Sequence, residues 1–389
     1  MDFNLNEDQR IFCNAVQALA ERHLSAGALQ RAHSGDYPWD VARLFSENGL
    51  IGITVDEADG GVGGKLMDAV LAIEQVASVC PRSADVVQAG NFGAIRVLAQ
   101  FGSPAQKEKY LTPLLKGAGV ISVAMTEPGA GSAVTELTTT ATPDGEGFRV
   151  NGSKVFTTHG VHATVFLVYL RFGPGVGGIG SVLIPRTAEG FNFGQRSRFL
   201  SGEDWNALYF DNVFVPKEDV VLGPGGFKKQ ISAFNVERLG NSARSLALGR
   251  HAFTLARAHA LTREQFGRPL CDFQGLQWKF ANMKIALDSA QLLLYRAATN
   301  ADRGFPSPEE TAIAKAACNR AGFDAANESM QIMGGMGYSE ETLVEYCFRR
   351  TRGWMIAGGT TEILLNRIAE HVFDRTFSQR PPRVEARPA

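Results

Sequence analysis

Residues 148–158 read FRVNGSKVFTT and stand between two long tracts of helical character. Phe, Val and Thr recur with polar residues between them, as in a half-buried strand. Asn151-Gly152 in the middle suits a tight hairpin turn, which predicts two strand arms either side of it. Working outward, VFLVYLRF (165–172) and SVLIP (181–185) also read as strands, joined by GPGVGGIG (173–180). WNALYFDNVFVP (205–216) continues the pattern and stops at Pro216. Upstream, EDQRIFCNAVQALAERHL (7–24) places Ile11, Phe12, Val16, Leu19 and Leu24 at helical spacing, and 65–79 and 93–101 repeat the period. Downstream, three long apolar-periodic tracts cover 230–266, 276–304 and 308–335. The expected fold class is therefore α+β in three parts: an N-terminal helical domain (1–120), a middle β-domain (121–227) and a C-terminal helical domain (228–389) packed as a four-helix bundle. The tail QRPPRVEARPA (379–389) is expected to fray.

The bulk properties narrow the function. The chain has 389 residues, 44% of them hydrophobic, and a formal net charge of -1. No basic excess marks a nucleic-acid partner. No run is long and apolar enough for a membrane span. The start, MDFNLNEDQR, lacks a signal or transit pattern, so a cytoplasmic location is expected. The five cysteines (13, 80, 271, 318 and 347) form no CxxC pair and are odd in number. They read as small buried apolar residues, not a disulfide framework or zinc site. The glycines of DEADGGVGGK (56–65) match neither dinucleotide nor P-loop spacing and read as a surface turn.

Six stretches carry residue types suited to chemistry. MTEPGAGS (125–132) offers backbone N–H groups and the hydroxyls of Thr126 and Ser132, which suit a polar ring edge or a pyrophosphate, or simply a turn. In KVFTTHG (154–160), Phe156 can lie against a flat ring and Thr158 can bond its edge; an ordinary strand is the alternative. His159 and His162 lack further ligands nearby, and a solvated or capping role is expected. TREQFGRPLCDFQGLQW (262–278) groups Arg263, Phe266 and Gln274 around a helix break, as a phosphate and an adenine would want, or as an inter-helix corner would. QIMGGMG (331–337) carries more glycine than a helix cap needs. In Asn235-Val236-Glu237-Arg238, a carboxylate sits among apolar neighbours, where desolvation raises its pKa towards that of a working base. IAGGTTEI (356–363) reads as a ligand-facing turn, but with two glycines where a reactive group would be looked for.

Taken in chain order, MTEPGAGS, KVFTTHG, REQFGRPL with the following FQ, MQIMGGMGYS and IAGGTTEI resemble the acyl-CoA dehydrogenase family. The likeness runs from the NEDQ start to about Asp374. It implies FAD between the β-domain and the C-terminal helices. Met125, Thr126 and Ser132 would touch the flavin end and pyrophosphate. Phe156 and Thr158 would lie along the isoalloxazine. Arg263, Phe266, Gln274, Gln331, Gly335, Thr360 and Glu362 would hold the ADP part. Ser132, Asn235 and Arg238 would contact the acyl-CoA. The resemblance further implies a homotetramer, with some cofactor contacts crossing subunits, and an electron-transferring flavoprotein as acceptor.

Many family members carry the catalytic glutamate in a Tyr-Glu-Gly-Thr turn, where this chain has Ala357-Gly358-Gly359-Thr360. A smaller group, including the isovaleryl-CoA and long-chain enzymes, places the base on a helix just before an arginine. Glu237-Arg238 matches that placement, so Glu237 is the expected base. The Gly358 N–H is expected to bond the thioester oxygen, and the missing side chain to widen the pocket. Ala133 and Phe156 depart from the commoner aspartate and tryptophan. YPWD, NFGAIRVLAQFG and FGRPLCDFQGLQW also resemble the branch containing 3-sulfinopropionyl-CoA desulfinases. Glu237 argues against that activity, as does Ala84-Asp85-Val86, which lacks the sulfinate-holding arginine, Arg82 standing out of register. A dehydrogenase of substituted succinyl-CoA esters would need a cation deep in its pocket. A non-catalytic flavin- or CoA-binding subunit and an acyl-CoA oxidase complete the alternatives.

Overall fold

The computed structural model describes residues 3–301 and 305–378. Helices come first: α1 (Glu7–Leu24), α2 (Ala28–His33), α3 (Trp39–Glu47), α4 (Leu66–Val79), α5 (Ala84–Asn91), α6 (Ala94–Phe101), α7 (Pro104–Gln106) and α8 (Thr112–Leu115). Asn6 starts α1 with a capping box: its side chain accepts from Gln9 N, and the Gln9 side chain accepts from Asn6 N. Strands follow: β1 (Ile121–Ala124), β2 (Thr140–Asp144), β3 (Gly147–Lys154), β4 (Val165–Arg171), β5 (Ile179–Pro185), β6 (Phe191–Phe193), β7 (Ser197–Arg198), β8 (Asp204–Trp205), β9 (Leu208–Pro216) and β10 (Val220–Leu222). The main sheet runs β10-β5-β4-β2-β3-β9-β6, with β1 paired in parallel to β4. Helices then return: α9 (Phe227–Thr262), α10 (Gln274–Thr299), α11 (Pro308–Met333), α12 (Gly335–Tyr338), α13 (Leu343–Trp354) and α14 (Thr361–Val372). The tail 379–389 lies outside the described residues.

The helical–β–helical order stands as the sequence predicts, but the expected hairpin turn does not. Asn151-Gly152 lies inside β3, and the reversal is at Asp144–Gly147, where β2 and β3 end opposite each other. The dipeptide makes a bulge instead: the β3–β9 register shifts between Val150 and Gly152. A Cβ on Gly152 would lie 2.5 Å from Thr139 Oγ1, so the glycine serves close approach, not chain reversal.

The packing of α9 on α11 positions the site. Gly249 and Gly322 face each other, and a Cβ on Gly249 would lie 2.6 Å from Gly322 Cα. The two helices therefore touch backbone to backbone. This holds Glu237 to Arg244 of α9 close to Lys315 of α11. Of the cysteines, 13, 80, 318 and 347 are buried as expected, while Cys271 is half-buried. Among the described residues no helix is long and apolar enough to cross a membrane, and no group of side chains could hold a metal ion.

Candidate active site

Glu237, Asn241 and Arg244 recur at i, i+4 and i+7 along α9, so they share one face. Gln88 of α5 meets all three. Its amide nitrogen donates to Glu237 Oε1 at 2.5 Å and to Asn241 Oδ1 at 3.0 Å, and its oxygen accepts from Arg244 Nη1 at 2.8 Å. Burial pushes the Glu237 carboxyl up to about 8, against the opposing pull of Gln88, Lys315 and Arg350. The carboxyl group is thus oriented, part-buried and poised to exchange a proton near neutrality.

Gly93, at φ 66°, abuts this carboxylate from the loop after α5: a Cβ there would lie 2.7 Å from Glu237 Oε2. Gly93→Ala is expected to displace the carboxylate and lower kcat by roughly 10–100-fold, since misplacement near 1 Å costs that much. Steady-state kinetics beside a flavin-content measurement checks this; unchanged kcat would show that the carboxylate tolerates displacement.

The glycine turn is held from beneath. Lys315 Nζ donates to Trp354 O and Gly359 O, each at 3.0 Å, and Arg238 Nε donates to Gly358 O at 3.0 Å. Arg238 Nη1 also donates to Asn235 Oδ1 at 2.8 Å, which places two of the three predicted substrate-contacting residues under the turn. Gly358 and Gly359 take φ values of 73° and 97°, which glycine adopts readily. The glycine does not widen the pocket as the sequence suggested. A Cβ at Gly358 would lie 3.0 Å from Asn241 Nδ2 and 3.4 Å from Lys315 Cε, so those side chains already fill that side.

Behind Gln88 lies a buried charged cluster. Asp85 pairs with Arg82, Arg244 and Arg350, and Glu203 pairs with Arg82 and Arg350. All five are buried. Arg82, called out of register on sequence, joins this cluster. Trp354 lies beneath two of its guanidiniums, 4.4 Å from Arg244 and 4.6 Å from Arg350. His159 was expected to be solvated or capping. Instead its ring packs on Tyr37 at 5.3 Å, and burial lowers its pKa to about 4.

The predicted ring-facing residues converge at the ends of β1 and β3. Val155 N donates to Thr126 O at 2.9 Å, and Lys154 Nζ donates to Met125 O at 3.1 Å. Phe156 is 54% exposed, at φ 57°, with its ring 4.6 Å from Trp205; Thr158 and Ser132 are exposed beside the same loops. A bulky residue in left-handed backbone is uncommon and costs about 1–3 kcal/mol, a strain that gathers at ligand sites.

The remaining predicted residues fall into two sets. Arg263, Phe266 and Gln274 sit at the exposed α9–α10 corner, where Phe266 is 94% exposed at φ 51°. The Lys279–Glu328 ion pair sets the start of α10 beside the end of α11, so Gln331 and Gly335 share that end of the bundle. Thr360 and Glu362 lie at the other end, near Lys315. The 16 residues from Lys315 to Gln331 of α11 span about 24 Å at 1.5 Å per residue. One chain does not bring the two sets together.

Comparison with known proteins gives the family. Models of the acyl-CoA dehydrogenase N-terminal, middle and C-terminal domains match residues 6–118, 122–213 and 224–373. The chain belongs to the acyl-CoA dehydrogenase family. A curated relative, the 3-sulfinopropanoyl-CoA desulfinase of Paraburkholderia xenovorans, is 33% identical over 97% of this chain and 99% of its own. The butyryl-CoA dehydrogenase of Megasphaera elsdenii has a solved structure that superposes with a TM-score of 0.90 at 31% identity, covering 96% of this chain and all of that one. A glutaryl-CoA dehydrogenase of Mycobacterium smegmatis, solved in complex with FADH2, superposes at 0.90 with 25% identity and 97% coverage of both chains. Acyl-CoA dehydrogenases are flavin-dependent oxidoreductases.

Sequence reasoning missed Gln88, Asn241, Arg244 and Lys315. For Lys315 a signal existed: one cation inside the small-residue run TAIAKAACN (311–319) of a helix meant for the core.

Proposed function

We propose that this acyl-CoA dehydrogenase removes the α-proton of an acyl-CoA thioester with Glu237, as the first part of α,β-dehydrogenation. The carrying observation is the part-buried Glu237 carboxyl, raised to about 8 and oriented by Gln88. The amides of Gly358 and Gly359 have no acceptor among the described residues, which suits donation to the thioester oxygen as charge develops there. FAD fits the remaining surface, where Phe156 and Phe266 are exposed in left-handed backbone and no atom would lie within 4 Å of a Cβ on Gly129, Gly131 or Gly335. When bound, FAD supplies the acceptor for the β-hydride. Met125, Thr126, Ser132, Phe156 and Thr158 would hold its flavin half, and Thr360 and Glu362 part of its ADP half. Arg263, Phe266, Gln274, Gln331 and Gly335, about 24 Å away along α11, would serve a neighbouring subunit's ADP half in a homotetramer. An electron-transferring flavoprotein would carry the electrons onward.

A second reading, that the acyl chain ends in an acid group, is favoured by the buried cluster. Three guanidiniums there face two carboxylates, leaving an excess positive charge linked through Gln88 to the base. Such a charge would suit the acid group of a succinyl-type or sulfinate-bearing ester.

Anaerobic titration of the yellow protein tests both readings. The panel comprises butyryl-, isovaleryl-, succinyl-, glutaryl- and 3-sulfinopropanoyl-CoA. Bleaching of the flavin band by any acyl-CoA is expected, and bleaching only by acid-ended esters selects the second reading. Sulfite release without bleaching, or no response to any ester, would overturn dehydrogenation.

A further inference from the structure

We infer that Lys315 is a positioning residue for proton abstraction, its ammonium tying the Gly358–Gly359 turn to α11 and supplying the positive charge against which Glu237 ionises. This rests on the reading of Glu237 as the base. Three observations carry it. First, the Lys315 side chain is fully buried, and both of its hydrogen bonds go to backbone carbonyls. A lysine is rarely placed so unless it serves a particular contact. Second, its two hydrogen bonds go to the backbone before the turn, Trp354 O, and within it, Gly359 O, and Asn319, one helical turn further along α11, donates to Trp354 O at 2.7 Å. The turn and the end of α13 that leads into it are therefore docked on α11. Third, the lysine reaches the reacting region: a Cβ at Gly358 would lie 4.0 Å from Nζ.

The surrounding charges agree. Burial and Arg238 of α9 push the Lys315 amine down, while Glu237 draws it back up. The Glu237 carboxyl, raised by burial, is drawn back by Gln88 of α5, Lys315 of α11 and Arg350 of α13. Each group thus favours the other's charged form. A carboxylate about to take a proton, and an oxygen about to gain charge, both benefit from a cation fixed before the reaction starts.

The test compares Lys315→Gln, which keeps hydrogen-bond donors without charge, with Lys315→Met, which removes both. For Lys315→Gln we expect flavin content and acyl-CoA binding to stay within about threefold. Its kcat should fall roughly 10–100-fold, and the acidic limb of its pH–rate profile should move up by about one unit, as the carboxylate loses an opposing charge. A structural role alone would not move that limb. Lys315→Met should lose as much or more in kcat; if it fails to hold flavin, Lys315→Gln alone decides. Unchanged kcat and an unmoved limb in Lys315→Gln would overturn the inference. Glu237→Gln is assayed alongside: if that variant keeps its activity, the underlying reading fails; if it is inactive while Lys315→Gln is normal, only the role of Lys315 fails.

Discussion

Glu237→Gln is expected to lower kcat by roughly 10²–10⁴-fold while FAD and acyl-CoA binding persist and the folded protein gains stability above neutral pH. The kinetic loss follows from removing the group that takes the proton. The amide keeps the shape of the carboxylate and can still accept from Gln88, so the pocket should hold its form. The gain in stability follows from the sign of the titration. Burial raises the carboxyl of folded Glu237 to about 8, so the folded state holds a proton that the unfolded chain releases near pH 4.5. That contribution is complete below pH 4.5 and is lost as pH rises through about 8. Glutamine removes the loss, and the gain should reach roughly 2–4 kcal/mol above pH 8. In the unaltered enzyme, kcat/KM should rise with pH through an apparent pKa near 8, since only the carboxylate acts as base. Turnover, α-proton exchange into D2O and thermal melts at pH 6 and 9 check this together. Retained turnover and exchange would remove Glu237 from the role.

The largest loss of stability is expected from Asp85→Ala, at about 3–5 kcal/mol. Asp85 is fully buried and answers three arginines from three segments: Arg82 in the turn before α5, Arg244 on α9 and Arg350 on α13. Without it Glu203 alone opposes three guanidiniums. Burial and Arg350 already lower the Arg244 pKa well below its ordinary value, so the site has little capacity for further uncompensated charge. Denaturant unfolding should show the loss, and Asp85→Ala with Arg244→Met should recover part of it, because the two residues couple directly. A loss under 1 kcal/mol in the single variant would mean that solvent reaches the cluster.

The helical tracts were legible because their period is local. EDQRIFCNAVQALAERHL carries its own cap and its own apolar face, and α1 follows from both. The strands were legible by texture, but their pairing was not. Asn151-Gly152 is a strong local signal for a turn, and tertiary contact with Thr139 turned it to a bulge. The residues proposed to face the flavin and to act as base were picked out through motifs, since Glu237 and the glycine turn belong to short ordered stretches. Gln88 was not, because its three partners lie about 150 residues away in the chain and share no pattern with it. The place of Arg82 in the buried cluster was hidden for the same reason: it is set by Asp85, Glu203 and the neighbouring arginines, not by its own sequence context.

The Gly249–Gly322 crossing bears on how this scaffold can change. Where two helices meet through backbone alone, no rotamer can lengthen or shorten the gap, so the crossing works as a fixed gauge between the helix that carries Glu237 and the helix that carries Lys315. A side chain added at either glycine would part the two helices along their length and disturb both polar groups together. New substrates are therefore more readily accommodated by altering α5 and the glycine turn, which border the pocket without setting that separation.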